Sequence, residues 1–182
     1  MKKKNKPKKL VDSKWIITIV VCSFFISLLF TFTSETLISN TGAITCLFVL
    51  LFFIFVGVIF DVIGIAVTAS DEKSFYSMAS KKTFGAKRAI RLKKNSEKVS
   101  SFCNDVIGDI CGIVSGSAGV TLALKASKLL NLDIFISSLL ITGLIAALTI
   151  GGKALGKGIA VKKATTIHIE VAKFISLFVR DK

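Results

Sequence analysis

Four stretches of this chain are too long and too apolar to sit inside an ordinary water-soluble core. The first, WIITIVVCSFFISLLFTF (15–32), runs for 18 residues without a charge. The second, AITCLFVLLFFIFVGVIFDVIGIAVTA (43–69), carries one, Asp61. The third is VSSFCNDVIGDICGIVSGSAGVTLAL (99–124) and the fourth DIFISSLLITGLIAALTIGG (133–152). About 20 apolar residues in a helix cross the hydrocarbon of a bilayer. The expected fold is therefore an all-α integral membrane protein with four transmembrane helices, at about 15–33, 43–69, 99–124 and 133–152. The hydrophobic share of 52% fits a membrane protein better than a soluble domain. A basic stretch before an apolar run also describes a signal peptide. Here the run is long and FTSETLIS offers no small-x-small cleavage site, so an uncleaved first helix is expected, with Trp15 as an interfacial anchor.

The segments between the spans are polar and basic. Residues 1–14 hold seven Lys, 70–98 nine Lys or Arg and 153–182 seven, whereas the turn between spans three and four holds only Lys125 and Lys128. With four spans the three basic segments fall on one side, and the positive-inside rule gives an N-in, C-in chain. The membrane domain is then 15–152, with a basic cytoplasmic N-terminus (1–14) and a basic amphipathic tail (153–182). Segment 70–98 places Phe75, Met78 and Ala79, then Ala86, Ala89 and Ile90, at helical spacing. That pattern predicts two short juxtamembrane helices at the membrane surface, broken near Gly85. The net charge of +14 is thereby assigned to topology and to anionic lipid head groups. No motif of nucleic-acid binding accompanies it, and nucleic acid is not an expected partner. Cys22, Cys46, Cys103 and Cys111 form no CxxC pair and read as small apolar fillers. His168, in the tail, is expected at the surface.

The third span is the least apolar. Ser101, Asp105, Gly108, Asp109, Gly112, Gly116 and Gly119 recur at three- and four-residue spacing, which predicts one shared helical face. Gly108, Gly112 and Gly116 form GxxxGxxxG, a pattern that lets another helix approach closely, and Gly119 extends it. Asn104 borders the stripe. At about 1.5 Å per residue, Asp105 lies ~9 Å and Asp109 ~15 Å from the end of the span, and Asp61, on the antiparallel second span, ~12 Å. A carboxylate inside a bilayer costs about 2.5–3.5 kcal/mol on insertion scales, and such residues usually mark ion or proton pathways. Asp61, Ser101, Asn104, Asp105 and Asp109 are therefore the candidate cation-binding residues, with Gly108, Gly112, Gly116 and Gly119 as packing residues. The alternative for Asp61 is a structural pair with a lysine that reaches in. Hard oxygen donors suit Mg²⁺ as the bound or transported ion; no organic cofactor is expected.

From Phe60 to about Phe178 the chain resembles the transmembrane domain of the cyclin-M/CorC-type magnesium and cobalt transporters. In that family a helix ends in F-S-x-S-E-x-A, followed by a basic stretch with G-x-x-A-x-x-A/L and, after the last helix, G-E-x-x-P-K. The corresponding residues here are FDVIGIAVTASDEKSFYSMA, GAKRAIRLKKNSEKVSS (85–101), IGDICG and GGKALGK (151–157), which keeps Gly151 and Lys157. Asp61 stands at the family's first serine, Ile63 at its second and Gly64 at its glutamate; Gly152 and Gly156 stand at the later Glu and Pro. The family's cation ligands do not carry over one by one. The resemblance implies Mg²⁺ or Co²⁺ as cargo, a homodimer and the cell (inner or plasma) membrane. It also implies a chain without the family's cytosolic domains.

Three functions follow as expectations. The first is a cation transporter; the second is a transport-inactive relative acting as an accessory subunit of a larger transporter or other membrane complex. The third is an intramembrane aspartyl protease using Asp61 and Gly108-Asp109, which lacks the first glycine of GxGD because Val106 stands there. No enzymatic activity is expected from the first two.

Overall fold

Helix is the only regular structure among the described residues, 13–39 and 41–178 of the computed structural model. The basic N-terminal segment read from the sequence lies, up to residue 12, outside them, as does the end of the tail, 179–182. Four helices are long and apolar enough to cross a membrane: α1 (Ser13–Ser39), α2 (Ala43–Ala69), the continuous helix Ser96–Leu130 and α7 (Ile134–Lys162). The chain is thus a multi-pass membrane protein by the length and composition of its helices. Its large exposed side chains are mainly Phe, Leu, Ile and Val of α1, α2 and α7, a surface suited to lipid and not to water.

The third spanning helix is composite. It starts as α5 (Ser96–Ser101), widens into a π-helical segment at Phe102–Gly108 and continues as α6 (Asp109–Leu130). α3 (Glu72–Ser80), α4 (Ala86–Lys94) and α8 (Ala164–Phe178) are the shorter helices. The fourth span outruns its expected end at residue 152, because Gly151 and Gly152 lie inside a helix that continues to Lys162.

α2 is the centre of the bundle, packed on both α6 and α7. The lipid phase supplies no hydrophobic drive between helices, so close packing of small residues must do it. A Cβ at Gly57 would sit 3.1 Å from the Cβ of Cys111. A Cβ at Gly152 or Gly156 of α7 would meet Val58 or Val62 of α2 at 3.0 and 2.7 Å, and Ala160, on the same seam, is fully buried. One core cluster gathers Phe53, Val106, Ile107, Ile110, Cys111 and Val114, and a second gathers Ile38, Cys46, Leu50, Ile54 and Ala118. Cys46, Cys103 and Cys111 are buried fillers, while Cys22 is exposed on α1.

The ends of the helices are closed by named side chains. Lys125 of α6 donates to the carbonyls of Ile38 and Thr41 at 2.8 and 2.6 Å, closing the end of α1. Lys93 of α4 donates to Val67 and Thr68 at 3.3 and 2.6 Å, closing α2. Asp71 accepts from the Lys73 N–H and the Ser74 hydroxyl to start α3, and those bonds hold its carboxyl below the usual range. The break before α4 is Gly85 with φ +82°, where a side chain would also strike Lys173.

α3, α4 and α8 turn their apolar residues toward one another. Phe75, Ala86, Ala89, Ile169 and Ala172 form a third cluster. The expected surface histidine belongs to it: His168 is fully buried, 2.8 Å from the Ser70 hydroxyl through Nδ1 and edge-on to Phe75. The alternation of Lys and apolar residues in the tail concealed this, because burial of His168 requires α3 and α4 to cover it.

Two outcomes follow. Burial, helped by the Lys93 charge, lowers the pKa of His168 from its ordinary 6.5 to about 4, so the folded state takes up the proton later than the unfolded one. The docking of α8 is then insensitive to pH above 6.5 and weakens as pH falls from 6.5 toward 4. Thermal unfolding in detergent should show that slope, and His168→Asn, which cannot titrate, should flatten it. Gly156→Leu should destabilise the bundle by about 1–3 kcal/mol through overpacking against Val62. Gly143→Leu, at a glycine with open space around it, should change stability by less than about 0.5 kcal/mol in the same unfolding assay.

Candidate functional site

The candidate polar residues are carried by α2 and by the third span, where Ser101 ends α5, Asn104 and Asp105 lie in the π-helical segment and Asp109 begins α6. Asp61 lies on α2, one turn before Gly64. Its carboxylate is 16% exposed and its Oδ1 stands 3.8 Å from the Lys153 Nζ of α7, itself 31% exposed. The lysine alternative is thus the one formed. Lys153 falls just past the expected end of the fourth span at residue 152, which places it in the tail when the sequence is read alone.

Asn104 faces α2. A Cβ at Gly64 would overlap its amide oxygen, so glycine at 64 is what admits the Asn104 side chain. Asn104 Nδ2 donates to Ser100 Oγ at 3.3 Å, while Oδ1 is buried and accepts no hydrogen bond. An acceptor left open inside a span is an invitation to a proton donor or a cation. Gly108 joins the same layer: it is buried, and a Cβ there would lie 3.6 Å from Lys153 Nζ. Asp61, Asn104 and Lys153, with Gly64 and Gly108 between them, make one polar layer where three helices meet.

Asp105 and Asp109 are not part of that layer. Both are exposed and line a cleft of about 430 Å³ against α1, opposite Ser23 and Ser27. Ile19, Val20, Phe24, Val106, Ile110 and Ile113 form the apolar remainder. Ser101 donates to Asp105 Oδ2 at 2.7 Å, which orients that carboxylate. The serines of α1 were passed over in the sequence because a hydroxyl in an apolar run is ordinary, and only the position of α1 sets them opposite the acids.

The expected single face of the third span therefore divides in two. Gly108 and Gly119 are on the buried side, the latter against Ile145. Gly112 and Gly116 are exposed, with nothing within 4 Å of a Cβ built on them. The reason is geometric. Each four-residue step advances about 40° beyond a full turn, so Gly108, Gly112 and Gly116 drift from the buried side to the open one. The π-helical turns, bonded i→i+5, add a further offset between Asn104 and Asp105 on one hand and the regular helix on the other. Among the described residues, no three of His, Cys, Asp and Glu gather as a metal-binding group.

The two sets differ in chemistry. The inner one carries its own cation, Lys153, and is close to neutral as a unit. The outer one carries two carboxylates and three hydroxyls, with no lysine among the described residues that line the cleft.

Removing one member of the inner pair tests its structural weight. Lys153→Met leaves Asp61 without its partner and should lower unfolding free energy by about 2 kcal/mol. The double change Asp61→Asn/Lys153→Met should recover most of that loss in a double-mutant cycle.

Comparison of the chain with protein-family models, curated proteins and solved structures gives no match.

Proposed function

We propose that the protein is a transporter-like membrane protein that binds a divalent cation, Mg²⁺ or Co²⁺, at the carboxylates of its third span. The observation that carries this reading is the cleft in which Asp105 and Asp109 stand opposite Ser23 and Ser27. Two hydrogen-bonded or solvated carboxylates with hydroxyls nearby suit a hard cation that keeps several waters. Their expense inside a span argues for use, since intramembrane acids usually serve ion or proton movement. The resemblance to the cyclin-M/CorC-type transporters supports the choice of ion.

In this reading the basic segments are cytoplasmic, both termini face the cytosol and the membrane is the cell membrane. A second copy supplies the missing wall of the cleft. Gly112 and Gly116, open beside Asp109, offer the small-residue surface on which a helix of that copy packs closely. The juxtamembrane helices α3, α4 and α8 rest near anionic head groups.

One observation favours the second reading, an accessory subunit without transport. Lys153 supplies Asp61 with a built-in cation, and Gly64 and Gly152 stand where the resemblance expects glutamates. The protease reading draws no support: Asp61 is engaged by Lys153, and Asp109 opens on the α1 cleft, whereas that chemistry needs two acids sharing a proton.

Cation binding to the purified protein decides between them. Wild type should bind Mg²⁺, and Asp105→Asn/Asp109→Asn should weaken binding at least about tenfold, equivalent to ~1.4 kcal/mol, with the helical content unchanged. Mg²⁺ flux into vesicles should be lost in the same variant. Flux at the wild-type level from the double variant would end the transport proposal. Co-purification of another membrane subunit, with no cation bound, selects the accessory role.

A further inference from the structure

Where α1 begins and α2 ends, the bundle carries an apolar cleft of about 690 Å³. Its walls include Trp15 of α1, Phe60 and Ile63 of α2, Phe102 of the π-helical segment, and Val171 and Phe174 of α8. Lys98 closes one side, its Nζ 4.9 Å from the centroid of the Trp15 ring. The same lysine lines a second, polar pocket of about 150 Å³ together with Lys94, Asn95, Ser96 and Glu97. An apolar slot and a polar pocket thus share Lys98 as a wall.

Lys94 and Lys98 line the two pockets beside Glu97 and Glu170. Arg91, Lys93 and Lys94 fill the last turn of α4, although Lys93 is engaged by the end of α2. Glu170 in the cleft is bonded to Lys173 at 2.7 Å, and Glu97 lines the polar pocket together with Lys94 and Lys98. We propose that this composite site holds one anionic phospholipid, with an acyl chain in the cleft and its phosphate on Lys98 and Lys94. The shape asks for an amphiphile. A free phosphate would fill only the polar pocket. A peptide would carry N–H and C=O groups into a slot with almost no side chains to pair them, at a cost of roughly 1–3 kcal/mol for each group left unpaired. An aliphatic chain brings no such groups. The level is also that of a head group, since Trp15 sits at the start of one span, and the neighbouring spans end or begin beside it.

Trp15 is the only tryptophan in the chain, so its fluorescence reports on the cleft directly. The full-length protein is reconstituted in vesicles of phosphatidylcholine containing a minor share of phosphatidylglycerol. Bromines are placed on the acyl chains of one lipid or of the other. At equal mole fraction, brominated phosphatidylglycerol should quench Trp15 more than brominated phosphatidylcholine, with a preference of about fivefold per lysine. Lys94→Gln/Lys98→Gln should bring the ratio near one, while Lys87→Gln, in another pocket, should leave it unchanged. Each ratio is taken within one variant, so a change in Trp15 emission on loss of Lys98 does not enter. Equal quenching by the two lipids overturns the proposal, as does a preference that survives the double substitution. Quenching by neither lipid also overturns it, because the cleft is then covered by protein, a second copy included.

Discussion

The close approach of other helices to α2 is the constraint on which the rest depends. Leu and Phe gain little by leaving lipid for a helix interface, so the bundle is held by contact at short range and by satisfied polar groups. Gly57 admits Cys111, Gly64 admits Asn104, and Gly152 and Gly156 of α7 admit Val58 and Val62. These four glycines bring α6 and α7 onto opposite parts of one helix. That proximity lets Lys153 reach Asp61 and places Asn104 and Gly108 beside them.

The same contacts explain why the polar residues of the third span separate. Asn104 is drawn inward by the space at Gly64, and the π-helical segment begins two residues before it. Its neighbour Asp105 must then face outward, toward α1. α1 is the least embedded of the spans, with Ser34 and Ile38 as its buried residues, tied to α6 near one end by Glu35 to Ser117 at 3.0 Å. The outer carboxylates therefore border the most loosely held helix, and the inner pair borders the most tightly held one.

The short helices add a layer that the spans do not explain. α3, α4 and α8 share a small core around Phe75 and His168 and are linked to the end of α2 by Lys93 and Ser70. α8 and the start of the third span then form the walls of the apolar cleft at Trp15. Their basic residues thus have three distinct situations: helix capping, cleft lining and exposure. Assignment of the charge to topology covers only the last of these.

The spans, the two short helices around Gly85 and the amphipathic tail were legible in the sequence, because hydrophobic length and periodicity are properties of a segment alone. The presence of acids within apolar segments was legible for the same reason. The partners of those acids were not. Whether Gly112 and Gly116 pack or stand open depends on a drift of about 40° per step relative to a neighbour whose position no local pattern encodes. Lys153 looked cytoplasmic because the apolar run stops at residue 152; the helix continues to Lys162, with Gly152 close to Val58 of α2. His168 looked exposed because its cover comes from residues almost a hundred positions away. The sequence by itself determined that this chain forms helices long and apolar enough to cross a membrane, with charged residues within them. The tertiary structure alone decided which charge meets which, since that is set by the rotation of each helix about its axis, and rotation is chosen by the small residues at which helices touch.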